Sequence, residues 1–137
     1  RRFPAQRFED AIVACLWAGD DAAASHETAL AIYELADVMP ANIHVTVPQP
    51  FRGRRTGVTI HHAAIGEHDR TTRAGVPVTT VERTIVDVMR HSGTDLAAEA
   101  AEQALATGLV TSRRLRAALN DHGDIAPSLL DLASPTA

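Results

Sequence analysis

The apolar positions change their period along the chain, and each change marks an element. Phe8, Ile12, Cys15 and Leu16 recur at i, i+4, i+7 and i+8, which predicts an amphipathic helix over roughly 7–18, stopped by Gly19. Ser25 suits the N-cap of a second helix, with Glu27 near its positive end. Leu30, Ile32, Tyr33, Leu35 and Ala36 give that helix an apolar surface ending before Pro40. The period then drops to two: Ile43, Val45 and Val47 alternate with His44 and Thr46, and Val58 and Ile60 with Thr59 and His61. These read as two half-buried strands. The simplest pairing is an antiparallel hairpin whose tip holds Arg52, Arg54 and Arg55, with Gly53 and Gly57 as turn residues. Residues 71–73 and 76–78 predict two short edge strands around Ala74-Gly75.

Pro77 holds an extended segment that runs into Thr79, where a third helix is expected. Thr79 and Glu82 have the spacing of a capping box, in which hydroxyl and carboxylate each take a backbone amide. Val81, Ile85, Val88 and Met89 form the apolar stripe of this helix. Arg83 and Asp87, four residues apart, can pair on its surface. A fourth helix is expected over 94–106, with Leu96, Ala100, Ala104 and Leu105 inward and Gly108 at its end. A fifth starts at Thr111 with Leu115, Ala118 and Leu119, and a last helical turn spans 127–132. The pattern predicts an α+β fold in one domain over 1–133. Two N-terminal helices precede a small, mostly antiparallel sheet, two to three C-terminal helices pack on it, and 134–137 form a mobile tail.

Composition sharpens the class. The chain of 137 residues is 45% hydrophobic and 22% charged, ordinary for a globular domain that needs no disulfide or metal to fold. The single Cys15 fits a reducing, cytoplasmic setting. No apolar run is long enough for a membrane span. The net charge of −4 argues against binding nucleic acid with the whole surface. Every basic residue is Arg, which fits a genome-wide composition bias. The chain opens Arg1-Arg2, as expected of a piece of something longer.

Catalytic chemistry finds little support in the pattern. His61 and His62 point to opposite strand faces. His44 and His61 share a face, but two ligands do not make a metal site, so solvent-facing histidines, no metal and no cofactor are expected. Ser25-His26 lies at a predicted N-cap, where the hydroxyl is engaged by backbone amides and is unavailable as a nucleophile. No enzyme is expected. The Arg52, Arg54 and Arg55 cluster admits three readings: a solvated loop, a patch for an acidic partner, or the wing of a winged helix meeting DNA. The helix that would enter the groove carries Glu27, Glu34 and Asp37 and no Arg, which DNA would repel.

Four stretches taken in order carry a resemblance. They are Ala24-Ser25-His26-Glu27-Thr28-Ala29-Leu30, then Ile43-His44-Val45-Thr46-Val47-Pro48 with its Arg-rich loop, then Gly57-Val58-Thr59-Ile60-His61. The fourth is Gly75-Val76-Pro77-Val78-Thr79-Thr80-Val81-Glu82-Arg83-Thr84-Ile85-Val86-Asp87. Their order and spacing resemble the AbiEi-type antitoxins and transcriptional regulators of bacterial toxin–antitoxin loci. The Pro-x-Thr-Thr-x-x-Arg-Thr-x-x-Asp piece is the most specific. The part present resembles the C-terminal antitoxin domain, without the N-terminal winged helix. The resemblance implies a nucleotidyltransferase-like toxin as partner and operator DNA bound through the parent protein, with a homodimer left open. On this reading Arg52, Arg54 and Arg55 are the candidate partner or nucleic-acid contacts. Pro77, Thr79, Glu82, Arg83, Asp87, Ser25 and His26 form the family signature and structural brace.

Overall fold

The computed structural model describes residues 3–122 together with Leu129, Asp131 and Leu132. They hold five helices and a five-stranded mixed sheet. The chain divides into two compact units, Arg1–Thr80 and Val81–Ala137. The α+β expectation is met. The sheet, however, is not mostly antiparallel.

In the first unit, α1 (Ala5–Ala18) covers one face of the sheet with Ala11, Ala14, Cys15 and Ala18, which are buried. The stripe inferred from the sequence is rotated from the real one: Leu16 is 76% exposed and Val13 44%. Small side chains let the helix axis approach the strands closely, so alanines occupy the interface and the leucine faces out. Gly19 ends the helix as expected, at a φ of 125°.

The strand at the middle of the sheet is the shortest. β1 is only Ala23–Ala24, flanked by β2 (Ile43–Val47) and β5 (Val76–Thr79), with β3 (Val58–His62) and β4 (Arg70–Arg73) at the edges, in the order β3-β2-β1-β5-β4. Two alanines carry no strand propensity, so nothing in the pattern announces this element.

β3 (Val58–His62) runs parallel to β2, with Ile43 opposite Val58 and Val47 opposite His62. The hairpin expected here is therefore a crossover, and Arg52, Arg54 and Arg55 lie on a return path instead of a wing tip. An alternating pattern sets which face a side chain takes but says nothing of strand direction. The ten residues between β2 and β3 reach ~33 Å when extended, twice the ~17 Å rise of a five-residue strand, so the return needs no helix. A 3₁₀ turn over Glu67–Asp69 leads into β4 (Arg70–Arg73), which pairs antiparallel with β5. Only β4 of this pair is an edge strand; β5 lies inside the sheet. Their connection is a two-residue turn with Ala74 at φ 52° and Gly75 at φ 80°, the type I′ geometry that suits strand twist.

α2 (His26–Ile32) stops well short of Pro40. Glu34 takes a φ of 60°, its amide bonds the Ala31 carbonyl, and Leu35 N–H bonds the Leu30 carbonyl at 2.8 Å. This is a Schellman stop with its usual apolar pair, Leu30 and Leu35, both buried. The position normally held by Gly is Glu here, which hid the stop.

The second unit contains α3 (Val81–Ser92), α4 (Thr94–Thr107) and α5 (Ser112–Asp121), with α3 packed against the other two. α4 buries Ala97, Ala100, Ala101 and Ala104 completely, while Leu96 and Leu105 are only half-buried. Thr111 caps α5 as expected, its hydroxyl accepting from Arg114 N at 3.2 Å. Leu115 and Leu119 are its core residues. Of the last predicted turn, Leu129, Asp131 and Leu132 are helical; the rest of it and the predicted tail lie outside the described residues.

Candidate functional site

Two groups of side chains in the first unit have chemical potential. The first is a polar network at the junction of β1, α2 and β2. Ser25 continues the strand, its amide bonding the His44 carbonyl at 3.0 Å. It occupies the N-cap position, yet its hydroxyl caps nothing. Instead Ser25 Oγ lies 2.7 Å from His26 Nδ1 and accepts from Thr46 Oγ1 at 2.6 Å. The capping expectation fails because Thr46, on the same face of β2, and the adjacent imidazole both reach the hydroxyl. His26 takes a φ of 56°, a left-handed conformation costing a non-glycine residue ~1–2 kcal/mol. That turn swings its ring over the sheet, where it stacks on His61 with centroids 3.7 Å apart and planes at 16°.

His44 and His61 meet through parallel pairing: His44 sits opposite Thr59 and Thr46 opposite His61. Nδ1 of His44 is 2.9 Å from Nε2 of His61, so one N–H serves both rings. On its other side His44 Nε2 lies 3.7 Å from Glu27 Oε2. Thr28 Oγ1 accepts from the His44 amide at 2.8 Å. His26 is buried and the His44 side chain is only 12% exposed, so these histidines are not the solvent-facing groups the sequence suggested. His62 is exposed, and its Nε2 accepts from Phe51 N.

A serine 2.7 Å from an imidazole is the constellation of an activated nucleophile. Here Ser25 and Thr46 are fully buried, which makes the chain of hydroxyls a satisfied internal network instead of an attacking group. His44 and His61 spend one nitrogen each on the hydrogen bond between them, and the Glu27 carboxylate stands beside the other nitrogen of His44. A carboxylate, two imidazoles and a third stacked ring were visible in the sequence as residues. Their assembly depends on the parallel register, which was not.

The second group is the crossover loop. Phe51 packs edge-on against Trp17 of α1, with centroids 4.9 Å apart. Gly53 lies so close that an added Cβ would come within 2.6 Å of the Phe51 ring and 3.0 Å of Trp17. This aromatic clasp fixes the start of the loop on the end of α1. Arg52, Arg54 and Arg55 follow it, all exposed, and their side chains have no hydrogen bond or ion pair among the described residues. Arg55 also lines a cleft of about 330 Å³ with Arg7, Asp10 and Val13 of α1, Ile43 of β2 and Val58 of β3.

The remaining residues singled out in the sequence lie in β5 and α3. Thr79 ends β5 instead of opening the helix, and its hydroxyl donates to the Ala24 carbonyl at 3.5 Å. Glu82 pairs with Arg114 Nε at 3.1 Å. Within α3, Arg83 Nε and Asp87 Oδ1 are 3.0 Å apart, with side chains 7% and 10% exposed. The pair read as lying on the helix surface is thus buried. Pro77 lies in β5, and its carbonyl is 3.8 Å from the Cys15 thiol. Burial pushes that thiol up from 9.0 to about 11, against the opposing pull of the Ala24 backbone and Arg70.

No family model and no curated protein matches the chain.

Proposed function

We propose that the chain is an antitoxin and transcriptional-regulator domain, working in the cytoplasm by protein–protein contact rather than catalysis. Its target would be a nucleotidyltransferase-like toxin, and an N-terminal winged helix of the parent protein would hold the operator. The observation that carries this reading is the crossover loop. Three guanidinium groups stand exposed beside an aromatic clasp, with no ion pair among the described residues. An exposed Arg cluster on a loop anchored at its start by an aromatic contact suits a recognition surface. The resemblance of the Pro77-to-Asp87 stretch to AbiEi-type antitoxins supplies the partner class. Co-expression of the intact parent protein with the product of the neighbouring gene is expected to restore growth and to yield a co-purifying pair. A toxin that stays fully active beside excess parent protein would refute the proposal.

A second reading rests on the same arginines. Phosphates could replace the acidic partner, making the chain a DNA-contacting or dimerisation module. Replacing Arg52, Arg54 and Arg55 by Ala separates the two. Under the antitoxin reading, operator affinity of the parent protein and its salt dependence stay unchanged while toxin neutralisation weakens. Under the DNA reading, affinity falls and the salt slope flattens by about one unit for each lost phosphate contact.

A further inference from the structure

Of the two strands that end the sheet, only one is guarded. β4 opens and closes on Arg70 and Arg73, charges of the kind that keep further strands from adding. β3, at the other edge, reads Val58-Thr59-Ile60-His61-His62, with no carboxylate, guanidinium or proline and no break in its register with β2. The parallel ladder fixes which backbone groups of β3 are spent. Ile43 N–H bonds the Gly57 carbonyl and Ala63 N–H bonds the Val47 carbonyl, so the alternate residues between them, Thr59 and His61, face β2. Val58, Ile60 and His62 therefore turn their backbone groups to the open side. Val58 N–H is taken by the Arg55 carbonyl at 3.1 Å, a turn that ties the Arg loop to the N-terminal end of the strand. The backbone groups of Ile60 and His62 have no other partner among the described residues. We propose that β3 accepts an extended segment of a protein partner as an added antiparallel strand, with carboxylates at the end that meets Arg54 and Arg55.

Backbone chemistry and charge together choose this occupant. The open groups alternate donor and acceptor, a pattern that another peptide backbone matches along its whole length. A phosphodiester chain offers acceptors to the Ile60 and His62 amides but no donor to their carbonyls. Val58 and Ile60, half-buried on the chain alone, gain cross-strand neighbours under an added strand. Arg52, Arg54 and Arg55 are exposed and have no ion pair among the described residues, so an acidic end gains hydrogen bonds there that a neutral one does not. Asp10 shares a cleft with Arg55 but not with Arg52 or Arg54, which leaves the cluster a net cation. A second copy is the poorer match, since its β3 brings no carboxylate and its loop brings three more guanidinium groups. The proposal rests on the reading of the chain as a protein-binding domain and adds the strand that binds and the kind of segment it takes.

The test titrates the isotopically labelled full chain with the synthetic peptide Thr-Val-Thr-Val-Glu-Glu. Saturable shifts are expected at the amides of Ile60 and His62, together with slower deuterium exchange at both. Two further peptides carry N-methyl groups on alternate residues, one in each phase. One phase should bind as the unmodified peptide does and the other should lose binding, because only alternate amides of an added strand face β3. The double change Arg54→Ser and Arg55→Ser should weaken binding about fivefold, as expected for the loss of two exposed ion pairs, with an unchanged melting curve. Replacing both Glu of the peptide by Ser should do the same without touching the protein. Absence of saturable shifts, equal binding of the two N-methylated peptides, or affinity indifferent to both charge changes would each overturn the proposal. So would protection of Ile60 that rises with protein concentration alone, or larger shifts of the same amides by a short DNA duplex. Toxin neutralisation by the intact parent protein is scored separately. If wild-type parent fails to neutralise, the antitoxin reading fails, while the peptide titration still decides the edge of the sheet.

Discussion

Cys15 shows how burial alone sets a side chain's chemistry. The thiol is 3% exposed, and burial raises its pKa from 9.0 to about 11. A raised folded value means that the folded chain keeps its proton after the unfolded chain has lost it. Stability is therefore fully present below pH 9.0 and is lost as pH rises toward about 11. The loss amounts to roughly 2–3 kcal/mol. Urea unfolding across that window should show the decline, and Cys15→Ala should remove it. At neutral pH the native thiol should resist aromatic disulfide reagents that react at once with the denatured chain. Arg83 presents the opposite case, a charge kept inside by a partner 3.0 Å away. Removing one member of a buried pair strands the other, so Arg83→Ala is expected to lose ~3–5 kcal/mol. An apolar replacement of both members should recover most of it. A variant with unchanged melting temperature but lost partner binding would show that Arg83 makes contact instead of holding the fold.

Turns and helix ends show what a sequence declares and what it conceals. Gly19 and Thr111 end and start helices by local rules that need no partner, and both were legible. Glu34 and Ala74 do the work of glycine at φ 60° and φ 52°, so the stop of α2 was not legible, whereas the β4–β5 turn was found through its neighbouring Gly75. Both residues carry backbone strain that glycine or asparagine would relieve. Glu34→Gly and Ala74→Asn should each stabilise the chain by about 0.5–1 kcal/mol, measured as a higher urea midpoint with an unchanged slope. The β2–β3 pair failed for another reason. Its alternation identified the strands and their buried faces, but direction is decided by the length of the crossover and by the alanine strand that β2 meets. Ser25 failed because a local rule assigned its hydroxyl to backbone amides, while tertiary neighbours Thr46 and His26 claimed it.

Considered as a whole, the chain made its class and most of its helices readable from periodicity. Its candidate site was legible only in pieces. The Arg cluster was evident from composition, but Arg7 and Val13 join Arg55 only once α1 lies against the sheet. His26 and His44 were expected to face solvent and are covered instead, because the mutual geometry of the histidines is a product of register. Leu16 was taken for core because size, not shape, guided the stripe.

The brevity of β1 has a consequence beyond topology. It pairs with β2 at only two positions and with β5 at one, so the two longer ladders, β2 with β3 and β4 with β5, are sewn together by a very short seam. A seam of that length is where a sheet parts first, each ladder closing again on its own hydrogen bonds. Deuterium uptake by the amides of 43–47 and 76–79 should then fall into two separate kinetic classes instead of one, and widening the gap between them by Ala24→Gly should speed both without merging them.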